Sequence, residues 1–220
     1  MMRDDDPKDP MSIETLNAVE AIRRRPSMYV RDLDNVRNDL LLEVLCLPLA
    51  EAHCGTCSSI EVEVSAHRAS VRYDGSGPPL EAGRSGTHSA EAIFTKLFAC
   101  RDHKEHARLG NELCRFGVVV VNAFSEWLVA EIASEGRIHR QSYRDGRPEG
   151  PFQDVGPAEK PSVAISFSLA QPFRGSAAFD VDALFDEIHA RDLDLSGVAV
   201  AIRQLDEQGV ITSERRGGHG

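Results

Sequence analysis

The 220-residue sequence has no apolar run approaching the roughly 20 residues needed to cross a bilayer. It also has no N-terminal apolar stretch of the kind that directs secretion: it opens MMRDDDPKDPM, acidic and broken by proline. Positive charge is scarce, with 25 Lys and Arg against 35 Asp and Glu and a net charge of -10. That balance argues against the domain gripping a phosphate backbone on its own, which calls for a basic stripe. A role in a DNA-handling complex where another subunit makes the contact stays open. Five cysteines (Cys46, Cys54, Cys57, Cys100, Cys114), an odd number at irregular spacing, do not make a disulfide framework. The cytoplasm is the simplest compartment for such a set. There is a single tryptophan, Trp127, read as core, and neither an internal repeat nor a linker. The sequence therefore reads as one α/β domain, with an arm at 1–11, a globular part at 12–208 and a frayed tail at 209–220.

Hydrophobic periodicity supplies the elements. Ser12 can cap a helix through Leu16, Val19 and Ile22 that ends at Arg23–Arg25 and stops at Pro26. LLLEVLCLPLAEAH, within 39–53, is apolar nearly all round and predicts a buried helix, kinked at Pro48. IEVEVSA (60–66) and residues 70–73 alternate with period two and predict a hairpin, followed by the turn-rich YDGSGPP (73–79). Ser89 caps a helix over 89–98, residues 99–113 read as a charged mobile loop, and FGVVVVNAF (116–124) fits helix or strand. Strands are expected at 128–132, 136–143, 162–168 and 197–204, with an amphipathic helix at 183–191.

Three blocks then match something specific. LNAVEAIRRRPSMYV (16–30), GVVVVNAFSEWL (117–128) and EGRIHRQSYRDGRP (135–148) occur in the order found in the N-terminal ATPase domain of gyrase B and its topoisomerase IV counterpart. The chain resembles that family from about residue 11 to about 207. The resemblance implies the GHKL or Bergerat fold: an α+β, two-layer sandwich, a mixed sheet with helices on one face, holding ATP between helices and a flexible lid.

The resemblance also implies where a nucleotide site should be, and most of its positions are altered. Glu43 occupies the general-base position, but the magnesium-ligating Asn position one turn later is Leu47, and a hard cation needs oxygen ligands. In the second motif Tyr73 stands at the Asp that reads adenine, while Asp74, Gly75, Gly77 and Pro79 are kept. The glycines suit a turn under a nucleotide. The Thr that supports adenine recognition falls at Val163. In the third, phosphate-wrapping motif, Leu113 and Gly117 agree, whereas Asn111, Glu112 and Arg115 replace glycines. Arg115 could pair with an anion, but a solvated lid position is the plainer reading. Losses at magnesium, adenine and phosphate together predict no efficient ATP hydrolysis.

Other candidates are weaker. Cys54-x-x-Cys57 has no second half at zinc spacing and reads as a helix-end turn. His103 and His106 read as lid residues, and Arg23–Arg25 as a charge run favouring a helix C-terminus. No metal site is expected. In the family a transducer lysine reaches the γ-phosphate, and DNA-binding parts follow; without them the expectation is that the chain is no complete topoisomerase. Three readings stand on these residues. The first is a non-hydrolysing domain that needs no cofactor and acts by binding a gyrase or topoisomerase IV subunit, or a second copy of itself. The second is a divergent ATPase using ATP, Mg2+, Glu43 and a rearranged lid. The third is a small-ligand sensor with Tyr73 and Val163 lining a changed pocket.

Overall fold

The computed structural model describes residues 17–81, 89–102, 115–191 and 193–218. The expected arm at 1–11, the Ser12 cap and His103 and His106 lie outside these residues. Helix α1 (Ala18–Arg24) is instead capped by Asn17, whose side chain accepts from the Glu20 amide while the Glu20 carboxylate accepts from the Asn17 amide. This reciprocal arrangement satisfies two of the donors that a helix start leaves open.

Nine strands form one mixed sheet among the described residues: β1 (Ser59–Ser65), β2 (Arg68–Tyr73), β3 (Ser125–Ser134), β4 (Arg137–Arg144), β5 (Arg147–Pro148), β6 (Gln153–Pro157), β7 (Ser162–Leu169), β8 (Ala199–Leu205) and β9 (Ile211–Gly217). Their order is β5-β4-β3-β7-β2-β1-β8-β9, with β6 also paired to β4. The β1–β8 pair is parallel and the remaining pairs are antiparallel. Alternation puts Ile60, Val62 and Val64 on one face and Glu61 and Glu63 on the other. The register then lines up apolar rows across the sheet. Val62 faces Ile202 and Val71, Val71 faces Ile165, and Ile165 faces Ala130.

The helices cover that apolar face: α2 (Val36–His53), α3 (Ala90–Thr95), α4 (Val118–Phe124) and α5 (Val181–His189). Helix α2 is buried from Leu40 to Ala52 and runs unbroken through Pro48. Residues 118–124, which fit helix or strand by pattern, are helical despite four consecutive valines. Burial on all sides against α1, α2 and α3 outweighs the β preference of the side chains.

The three blocks of family resemblance meet in one place. Arg23 at the end of α1 donates to the carbonyls of Ala123 (2.7 Å) and Ser125 (3.0 Å) and pairs with Asp145 (3.1 Å). Buried Asn122 of α4 donates to the carbonyls of Phe94 and Gly146. A side chain at Gly146 would lie 2.5 Å from Val19, so the β4–β5 turn closes on α1 only because that position is glycine. The tail departs from expectation: residues 211–217 are not frayed but pair with β8 as the edge strand β9. Apart from a half-buried Gly217, their side chains are exposed, so no apolar pattern marked the strand. Strands β5 and β6 were likewise too short and too exposed to be read.

Phe167 lies at the centre of the sheet, fully buried between Ala69 and Leu128 on the flanking strands. Phe167→Ala is expected to lower unfolding free energy by about 3–5 kcal/mol, measured by urea denaturation followed through Trp127. A loss below about 1 kcal/mol would be incompatible with this packing.

Candidate functional site

Helix α2 presents Glu43, Leu47 and Glu51 at four-residue intervals, so the three stack along one face. All three are buried, the two carboxylates to 6% exposure and Leu47 to 3%. A buried carboxylate is tolerated only where hydrogen bonds replace its water. Each of these has such partners. Glu43 accepts from the backbone amides of Phe116 (3.2 Å) and Gly117 (2.8 Å), at the start of α4. Glu51 accepts from the amides of Ser76 (2.7 Å) and Gly77 (2.9 Å), in the YDGSGPP turn. The helix therefore holds both glycine turns by their amides.

Those contacts explain the retained glycines without a ligand. A Cβ at Gly75 would meet the Glu51 carboxylate, so glycine is what lets the carboxylate reach the turn. Gly77 has φ +68, and a Cβ there would meet the Val163 methyl. Asp74, kept from the family motif, accepts from the Ser58 amide (2.7 Å), the Ser58 hydroxyl (2.5 Å) and the Ser59 amide (2.9 Å), and so ties the turn to the start of β1. Partial burial works to raise its pKa, but these hydrogen bonds outweigh it and hold the carboxyl below its usual value. The Pro79 carbonyl accepts from the Ala90 amide, linking the turn to α3.

At the adenine positions, Tyr73 and Val163 face each other across β2 and β7 at 3% and 2% exposure. The Tyr73 hydroxyl makes no hydrogen bond of normal geometry among the described residues. Burial, and then the nearby charge of Glu51, hold the phenol well above its ordinary pKa, so it stays protonated. Arg115 lies with its guanidinium 5.3 Å from the centre of the Phe116 ring. Asn111, Glu112 and Leu113 lie outside the described residues.

Two cavities border these positions, and they share no lining residue. One of about 210 Å³ is lined by Glu43 with Tyr29, Arg31, Asp39, Arg115 and Arg191. The other, about 290 Å³, touches Tyr73, Asp74 and Val163, together with Glu61, Arg72 and Glu131 from the charged face of the sheet. The residues around Leu47 do not fit a magnesium ion: the position that should supply an oxygen is hydrocarbon, and the flanking carboxylates are engaged by amides. Cys57 is buried, and burial together with Asp74 pushes its thiol up to about 12, which leaves a protonated sulfur with little nucleophilic or ligand character. Among the described residues no cluster of His, Cys, Asp and Glu could hold a metal.

Sequence reasoning overlooked Glu51. Its signal was present: a charge eight residues after Glu43 on an otherwise apolar, buried helix must meet donors or be expelled. What could not be read was which turn would supply them.

The mixed sheet with helices on one face is an α+β sandwich, as the resemblance to GHKL ATPase domains implies. Comparison with known proteins gives the same relationship. The chain is 29% identical over 199 residues to the B subunit of DNA topoisomerase 4 from Staphylococcus aureus, covering 88% of this chain and 30% of that protein. It is 31% identical over 177 residues to the B subunit of DNA gyrase from Thermotoga maritima, covering 79% of this chain and 28% of the relative. The chain thus spans less than a third of the length of the curated relatives it matches. No family model matches it. No helix among the described residues is long and apolar enough to cross a membrane.

Glu51→Ala takes the charged acceptor from the part-buried Ser76 and Gly77 amides and is expected to cost about 1–3 kcal/mol of unfolding free energy. Glu51→Gln keeps one acceptor and should lose less than the alanine variant. Equal urea midpoints for all three proteins would contradict the assigned role.

Proposed function

We propose that the chain is a degenerate gyrase-B-type ATPase domain that acts through protein binding and does not hydrolyse ATP. Its partner is a type II topoisomerase subunit or a second copy of itself, and DNA contact is left to other components. The observation that carries this reading is the engagement of both α2 carboxylates by backbone amides, with Leu47 between them. A bridging magnesium needs an oxygen where Leu47 stands, and Glu43 serves to hold the backbone at the start of α4. The buried Tyr73–Val163 pair supports the same reading, because a recognition site loses heavily when its polar contacts are replaced. The cytoplasm is the compartment that suits five cysteines, an odd number at irregular spacing.

Thermal unfolding with a non-hydrolysable ATP analogue and magnesium tests the reading. A ligand that binds only the folded state adds about 2.7 kcal/mol at a hundredfold excess over Kd. The expected result is no shift in Tm at about 1 mM analogue, because the lost contacts weaken affinity beyond that concentration. A shift of several degrees that disappears with a chelator would instead establish a working, divergent nucleotide site.

A further inference from the structure

The helices cover one face of the sheet, and the other face is open among the described residues: its outward side chains on β1, β2 and β4 are exposed or half-buried. Alternation puts Ser162, Ala164, Ser166 and Ser168 of β7 on that face, because Val163, Ile165 and Phe167 point into the core. All four are small, whereas the flanking strands β2 and β3 carry Arg68, Arg72, Trp127 and Glu131 there. Strand β7 is therefore the floor of a trough. Two cavities, of about 290 and 330 Å³, lie along it and share Arg72, Glu131 and Ala164.

The register orders the charges across this face. Arg140 stands beside Glu131, Glu131 beside Ala164, Ala164 beside Arg72 and Arg72 beside Glu61, on β4, β3, β7, β2 and β1 in turn. About Ala164 the row is antisymmetric in charge. Glu131 on one side matches Arg72 on the other, and Arg140 further out matches Glu61. One row over, Val129 and Ser70 flank Ser166; in the row after that, Trp127 and Arg68 flank Ser168. Within one copy Glu131 pairs with Arg140, and Glu61 lies 3.5 Å from Arg203. Arg72, at the centre of the face, forms no ion pair among the described residues.

We propose that this face binds a second copy of the chain across a twofold axis running along β7. A twofold interface presents one patch to itself, so its charges must complement their own reversed order. Under that operation Glu131 meets the partner's Arg72, Arg140 meets the partner's Glu61, and the Trp127 ring meets the partner's Arg68 as a cation–π contact. The small side chains of β7 leave room at the axis for the long ones to interdigitate, as they do between the sheets of a sandwich. Five strands at about 4.8 Å spacing, by four outward residues at about 6.8 Å, make a patch of about 600 Å² per copy. The total of about 1,200 Å² reaches the size of a specific interface. The inference rests on the binding role proposed above only in naming the partner. ATP turnover would leave the association untouched, and a monomer would leave the absence of turnover untouched.

The test is sedimentation equilibrium of the full chain at about 10–100 μM, in low and in high salt. The expected result is a dimer that weakens as salt screens the charged row. Arg72→Glu and Glu131→Arg should each weaken association roughly tenfold or more, because each sets like charges face to face. Mixing the two variants should recover it, since the reversed charge of one then meets the reversed charge of the other. Glu207→Arg, in the β8–β9 turn, should leave association unchanged. A monomer throughout this range, an equal loss in Glu207→Arg, or a mixture no tighter than the single variants would overturn the proposal.

Discussion

Burying a carboxylate costs several kcal/mol unless hydrogen bonds replace its water, and helix α2 buries two. Everything around the cleft follows from how that demand is met. Glu43 takes the amides that open α4, and Glu51 takes the amides of the glycine turn after β2. Two segments far apart in sequence are thereby anchored to one helix, with Leu47 packed between the anchors. Charge-assisted hydrogen bonds to a carboxylate are among the stronger ones available to a protein.

Contacts of the same kind hold the rest of the scaffold. Arg23, Asn122 and Gly146 join α1, α4 and the β4–β5 turn through buried or half-buried contacts that require no ligand. These are the segments that resemble gyrase B and topoisomerase IV B, and their role here is to hold helices on the sheet. Gly75 and Gly77 belong with them, since one makes room for Glu51 and the other for Val163.

Much of this was legible in the sequence. Period-two alternation located β1 and β2, the continuous apolar run located α2, and three colinear blocks specified the α+β sandwich. The changes at Leu47, Tyr73 and Val163 could be read because each departs from the residue type that the family motif carries at that position. The missing parts were long-range. Nothing local tells that Glu43 will meet Gly117, 74 positions away, or that Glu51 will meet Gly77, 26 away. Strand β9 escaped because an exposed edge strand carries no apolar alternation. Asn17 was passed over as a cap because Ser12 stood earlier in the same pattern.

The most direct measurement of the central claim is ATP turnover by the native protein and by Glu43→Gln, with unfolding free energy measured on both. If Glu43 is an anchor, the two proteins share the same background turnover, and the glutamine variant is less stable by about 1–3 kcal/mol because a charged acceptor has become a neutral one. Magnesium-dependent turnover in the native protein that the substitution abolishes, at unchanged stability, would make Glu43 a working base and contradict the account.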